Sequence, residues 1–260
     1  MKNLNKMASV TVNTGMDELN ALKTKGIDTI ISSVEIKTGV ADSAGSILSH
    51  AENIKKLGMK WNVRLGLLPL YKEILAETGA DNRQFVRKSE RAAFENINKL
   101  MNVLKDCSPE YVQIDTDIYS EIGIQIGSEE QARMINSCIN GVKSVLPECK
   151  VILGTKESTD NEKAKKWFNR FQVSGGKAFD IISLSYELSA DTFYDLSLNM
   201  SDLSRRFEAD IIVDISLQNN VEAADISLED LDNAVSIVPL ERGYGTVYSK
   251  NILDIATQVA

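Results

Sequence analysis

The stretch Tyr111–Asp117, YVQIDTD, decides how this chain is read. As a strand, it sends Val112, Ile114 and Thr116 to one face and Gln113, Asp115 and Asp117 to the other, because successive side chains of a pleated strand point to opposite sides. Pro109 before it, Gly123 after it and amphipathic helical patterns on either side predict a strand covered on both faces, as in a parallel sheet. An acidic face turned towards a protein interior then needs a partner or a function.

Outward from this stretch, short β-branched runs alternate with helical patterns. The predicted strands are Ala8–Val12, Ile27–Ile36, Met59–Leu68, Tyr111–Asp117, Lys150–Thr155, Phe179–Leu188, Ala209–Leu217 and Gly245–Ser249. Helices are predicted over Met16–Gly26, Gly45–Gly58, Arg87–Asp106, Glu129–Pro147, Ala164–Val173 and Thr192–Glu208, with a short one over Tyr71–Gly79, a loop over Ile118–Ser128, and weaker helices over Ser227–Val238 and Lys250–Ala260. Gly26 and Gly58 supply the left-handed caps that close the first two. Eight strand–helix units predict an α/β fold, a (β/α)₈ TIM barrel forming one domain over residues 1–260. An open doubly wound sheet is the alternative, but its nucleotide-binding forms lose support because the turn Asn13–Gly15 carries no GxGxxG and no Walker sequence occurs.

With 260 residues and 43% hydrophobic content, the chain can bury a full core. Its formal charge of −8 disfavours a general affinity for nucleic acid or anionic membranes, since nothing steers polyanions inward. No apolar run approaches the roughly 20 residues of a membrane-spanning helix, so no membrane insertion is expected. The N-terminus lacks the apolar core of a secretory signal, which predicts a protein cytoplasmic as synthesised. Cys107, Cys138 and Cys149 show no CxxC spacing and read as buried or idle thiols rather than disulfide or metal ligands. The single histidine, His50, is expected on a helix surface, and a Ser/His/Asp triad has little support. Neither a cofactor nor a metal is expected.

In a barrel the chemistry sits where the strands end. The residues there include Glu35, Arg64, Gly66, Asp115, Asp117, Thr155, Tyr186, Glu187, Asp214, Ser216 and Tyr248. Alternation along KWNVRLG puts Asn62, Arg64 and Gly66 on one face, so Arg64 is predicted to point inward and pair with Asp115 or Asp117.

On these residues the chain resembles clan A glycoside hydrolases, and among them the arabinogalactan endo-β-1,4-galactanases. VQIDTD (Val112–Asp117) is similar to the family stretch that carries the acid/base glutamate, and IIVD (Ile211–Asp214) to the one that carries the nucleophile. AENIKKLGMK, NGVKSVLPECKVILGT and FDIISLSY resemble family segments in matching order, and the similarity runs from about Gly26 to Leu217. The resemblance implies Asp117 and Asp214 as catalytic candidates, with Glu35, Arg64, Asp115, Tyr119, Tyr186, Glu187 and Tyr248 as substrate-binding candidates.

The departures set the functional expectation. Both glutamates are aspartates, Thr116 stands for the asparagine before the acid, Gly66 for a histidine, and Ser33 for an arginine. Neither Trp61, at the start of strand three, nor Trp167, on a helix, offers a sugar-stacking platform at a strand end. Retaining glycosidases hold their carboxyls about 5–5.5 Å apart, and two shortened side chains open that gap by roughly 2–3 Å. The expectation is therefore a degenerate barrel, its efficient hydrolysis lost, that serves as a glycan-recognition or structural module with a glycan or protein partner in a larger phage-tail-like or cell-wall-facing assembly and is released with it. The rival expectation is an active hydrolase of a β-linked polysaccharide with Asp117 as acid and Asp214 as nucleophile or base.

Overall fold

The computed structural model describes residues 5–39, 44–79, 81–216 and 243–248. Its eight strands are β1 (Asn5–Val10), β2 (Thr29–Glu35), β3 (Lys60–Gly66), β4 (Tyr111–Asp115), β5 (Lys150–Thr155), β6 (Ile181–Glu187), β7 (Asp210–Ser216) and β8 (Gly243–Tyr248). They pair in parallel, in chain order, and β1 meets β8 to close the barrel. The fold is the predicted (β/α)₈ barrel, whose closure leaves no sheet edge to protect.

The helices are α1 (Met16–Thr24), α2 (Gly45–Lys56), α3 (Leu68–Thr78), α4 (Asn82–Leu104), α5 (Ile118–Glu121), α6 (Ser128–Lys143), α7 (Asn161–Val173) and α8 (Phe193–Phe207). Each long helix turns an apolar stripe to the sheet, because residues three and four apart share one face. For α4 that stripe is Phe85, Ala93, Ile97, Leu100, Met101 and Leu104, all buried. Asp81 caps this helix by accepting from the backbone N–H groups of Arg83 and Gln84, each at 3.0 Å. Neighbouring α6 comes close through Gly141, where a Cβ would stand 3.1 Å from the Ile97 side chain.

Two apolar layers result. The outer one, between sheet and helices, takes Val112 and Ile114 of β4 together with Val63, Leu153, Leu184 and Val213. The inner one, at the base of the barrel, is Met7, Ile31, Tyr111, Ile152, Ile181 and Ile212. Alternation on β4 thus falls as predicted, with both faces covered from Tyr111 to Ile114.

Several expectations are corrected. The fourth strand ends at Asp115, because the chain turns at Thr116 and Asp117 into α5, whose single turn is too short to show a helical period. Helix α3 begins at Leu68 and takes Pro69 into its first turn, where a missing N–H costs nothing. His50 is buried rather than on a helix surface: it is 2% exposed, its Nε2 lies 2.8 Å from Ser32 Oγ, and its ring meets Trp61 edge-on. That burial lowers its pKa, partly offset by a backbone hydrogen bond at Thr14. Cys107, Cys138 and Cys149 are free thiols, and burial pushes the latter two up to about 12. The predicted helices over 227–238 and 250–260 lie outside the described residues.

Candidate active site

Above the apolar base, the inward positions become polar. Asn62 on β3, Gln113 on β4 and Ser183 on β6 are all buried. Gln113 Nε2 donates to Asp115 Oδ1 at 2.8 Å, and Asn62 Nδ2 reaches Gln113 Oε1 at 3.4 Å. This ladder carries the β4 side chains towards the mouth.

At the mouth, Arg64 reaches inward as expected, but its main partner is Asp214. Arg64 Nη2 donates to Asp214 Oδ2 at 2.6 Å, whereas its Nε lies 3.9 Å from Asp115, beyond hydrogen-bond reach. Of the two expected partners, Asp115 or Asp117, Arg64 meets Asp115 through this longer ion-pair contact and not Asp117. Alternation specified that Arg64 points inward, but only the closed barrel brings β7 opposite β3. Burial lowers the guanidinium pKa, but attraction from Asp214 and then Asp115 outweighs it, giving a net rise.

Asp117 sits apart from this pair. It lies at the start of α5, and its Oδ2 accepts from the backbone N–H of Lys156 at 2.7 Å. Burial pushes its carboxyl up to about 6; the N–H bond and the Lys156 ammonium pull the other way, and Asp115 and Glu157 add to the rise. Thr116 fixes the turn before it, since its N–H and its hydroxyl both donate to the Gly154 carbonyl, at 2.8 and 2.9 Å.

A groove of about 510 Å³ opens over the ends of β6 and β7, with none of Asp115, Asp117 and Asp214 in its lining. Lys156, Thr159, Ser185, Glu187 and Ser216 line it with polar groups. Tyr186 also lines it, but its ring is 1% exposed and its hydroxyl donates to Ser189 O at 2.6 Å, so it is a wall rather than a stacking platform. Tyr119 is removed from the site, being buried and stacked on Tyr71. Glu35 is exposed at the end of β2, and the Tyr248 side chain lies outside the described ones. Among the described residues no group of three or more His, Cys, Asp or Glu is placed to hold a metal ion, and no helix is long and apolar enough to cross a membrane.

Two residues absent from the sequence-based set shape the site. A Cβ on Gly154 would stand 2.3 Å from Asp115 Oδ1 and 2.9 Å from Gln113 Nε2, so only glycine lets these side chains cross β5. An isolated glycine inside a strand was the available signal. Lys156 had none, because its role depends on a backbone N–H.

A closed parallel barrel with Asp115, Asp117 and Asp214 at its C-terminal mouth has the architecture that glycoside hydrolase barrels share. Residues 86–246, more than half of the chain, match the model of glycosyl hydrolase family 53. The chain belongs to that family, as its resemblance to clan A enzymes implied. The matched region contains Asp115, Asp117 and Asp214; Arg64 lies outside it.

Among solved structures, the chain is similar to the family 53 catalytic domain of Ignisphaera aggregans, with 13% identity, 94% of this chain and 79% of that chain covered, and a TM-score of 0.65. A psychrophilic family 10 endo-β-1,4-xylanase gives 10% identity, 96% and 87% coverage and a TM-score of 0.68. The cellulose synthase subunit Z of Clostridioides difficile gives 8% identity, 98% and 99% coverage and the same TM-score of 0.68. At such identities the likeness is one of fold. No curated protein sequence matches the chain.

Proposed function

We propose that this family 53 barrel binds a glycan at its mouth and has lost the ability to hydrolyse it. The observation that carries this reading is the Arg64–Asp214 ion pair at 2.6 Å. A retaining nucleophile must reach the anomeric carbon, and the guanidinium holds Asp214 from within the barrel. Because aspartate is one methylene shorter than glutamate, two aspartates at these positions are expected to open the about 5–5.5 Å spacing that retention uses by roughly 2–3 Å. The polar groove over β6 and β7 supports binding through hydroxyl contacts in place of aromatic stacking. In this reading the partners are a glycan and the proteins of an assembly that carries the barrel.

One observation favours an active hydrolase instead. Asp117 is pushed up to about 6, the direction a general acid requires, while Asp214 faces a cation. Paired carboxylates in opposed environments are the usual acid and base arrangement.

β-1,4-Galactan offered to the full chain separates the two readings, with binding read by calorimetry and cleavage by reducing-end release. The expected result is binding, with release no faster from the wild type than from an Asp117→Asn/Asp214→Asn double variant. Release abolished by either single substitution establishes the hydrolase. If both single substitutions leave binding unchanged and no cleavage occurs, the strand-end pair is not the functional feature.

A further inference from the structure

Lys156 both touches Asp117 and lines the groove. Its backbone N–H holds Asp117 Oδ2 at 2.7 Å, while its ammonium lies 3.0 Å from Glu121 Oε1 on α5. The β5–α7 connection is thus tied to α5 across the Asp117 carboxyl, by the backbone at one end and an ion pair at the other. We propose that Lys156 is a positioning residue for Asp117, and that the Lys156–Glu121 ion pair sets how readily Asp117 takes up a proton.

The local charges give this strap its sign. Asp117 faces Asp115 from β4, Lys156 and Glu157 from the β5–α7 connection, and Glu121 beyond the Lys156 ammonium. Lys156 is the sole cation in that set, so its ammonium opposes the upward push that burial, Asp115 and Glu157 exert. Glu121 holds this ammonium and partly neutralises it. Losing the ammonium therefore raises the affinity of Asp117 for its proton, while losing Glu121 lowers it, because the lysine charge is no longer balanced. Both side chains are well exposed, so the coupling is small, as for surface pairs generally. An occupant of the groove that draws Lys156 off Glu121 changes the charge felt at Asp117, which links occupancy to protonation. That link rests on the proposed role of the barrel mouth; the strap itself does not.

The test is a carboxyl-carbon NMR titration of Asp117 in the full chain without ligand, with the signal assigned by its loss in Asp117→Asn. Lys156→Met is expected to raise the midpoint, and Glu121→Gln to lower it, each by about 0.2–0.7 pH units. The Lys156→Met/Glu121→Gln double variant should return towards wild type, and Lys156→Arg should hold the wild-type value. Salt of about 1 M should erase most of the differences, since screening then acts within about 3 Å. Shifts of the same sign in both single variants, or no shift in either, overturn the proposal. Because the readout needs neither a glycan nor turnover, failure here is distinct from failure of the glycan reading.

Discussion

Asp117, just past the end of β4, and Asp214, near the end of β7, both stand at the barrel mouth and are held in unlike ways. Asp214 is clasped by a side chain, with the Arg64 guanidinium reaching across the barrel to it. Asp117 is held by a backbone N–H from the next connection, and Lys156, the cation beside it among the described residues, is turned towards Glu121. A full opposite charge at hydrogen-bond distance offsets desolvation far better than one neutral donor does. Burial therefore prevails at Asp117, pushing it up to about 6. The same residue type at the barrel mouth acquires different surroundings from the elements beside it.

The largest test of this contrast removes the clasp. Arg64→Met leaves Asp214 without its cation, and Arg64 and Asp214 side chains are only 21% and 14% exposed. Breaking a fully buried pair costs about 3–5 kcal/mol, so about 2–4 kcal/mol is expected here, read by denaturant unfolding. An Arg64→Met/Asp214→Leu double variant should recover most of it. A loss below about 1 kcal/mol would mean that solvent already screens the pair, and the contrast with Asp117 would weaken. Next in size is Gly154→Ala, which forces Asp115 and Gln113 to shift and should cost about 1–3 kcal/mol in the same assay.

The smallest effect carries a pH signature. A carboxyl whose folded pKa is raised from 3.8 to about 6 favours the folded state below its unfolded value, and that advantage is lost as pH rises through about 6. Asp117→Asn cannot ionise, and its amide oxygen can still accept the Lys156 N–H. Its stability relative to wild type should therefore rise between pH 4 and pH 8. The rise from 3.8 to about 6 corresponds to about 3 kcal/mol, which residual contact with water reduces to about 1–2 kcal/mol. Thermal melts at the two pH values measure it, and a pH-independent difference would remove the claim that Asp117 is penalised for ionising.

Much of the barrel was legible because period and burial agree. Lys150–Thr155 reads as a strand from its apolar run Val151–Leu153, and it is β5 to the residue. Gln113 and Asp115 face inward because alternation leaves no other choice once Val112 and Ile114 are committed to the outer layer. Local pattern failed where its signal was short or its cause distant. α5 spans only four residues, and His50 sits among polar neighbours in sequence although α2 turns it onto Ser32 and Trp61. Tyr119 and Tyr186 are near strand ends in sequence, yet their rings are consumed by packing.

The sequence by itself determined the order of strands and helices, the inward face of each central strand, the family resemblance, and the identities of Asp117, Asp214 and Arg64 as mouth residues. Those follow from alternation and helical period, which act over a few residues. Only the tertiary structure decided that Arg64 takes Asp214, that Gly154 makes room for Asp115, and that Lys156 holds Asp117. Such pairings are set by barrel closure and stagger, which bring together residues as far apart as 64 and 214 through backbone geometry that no local pattern records.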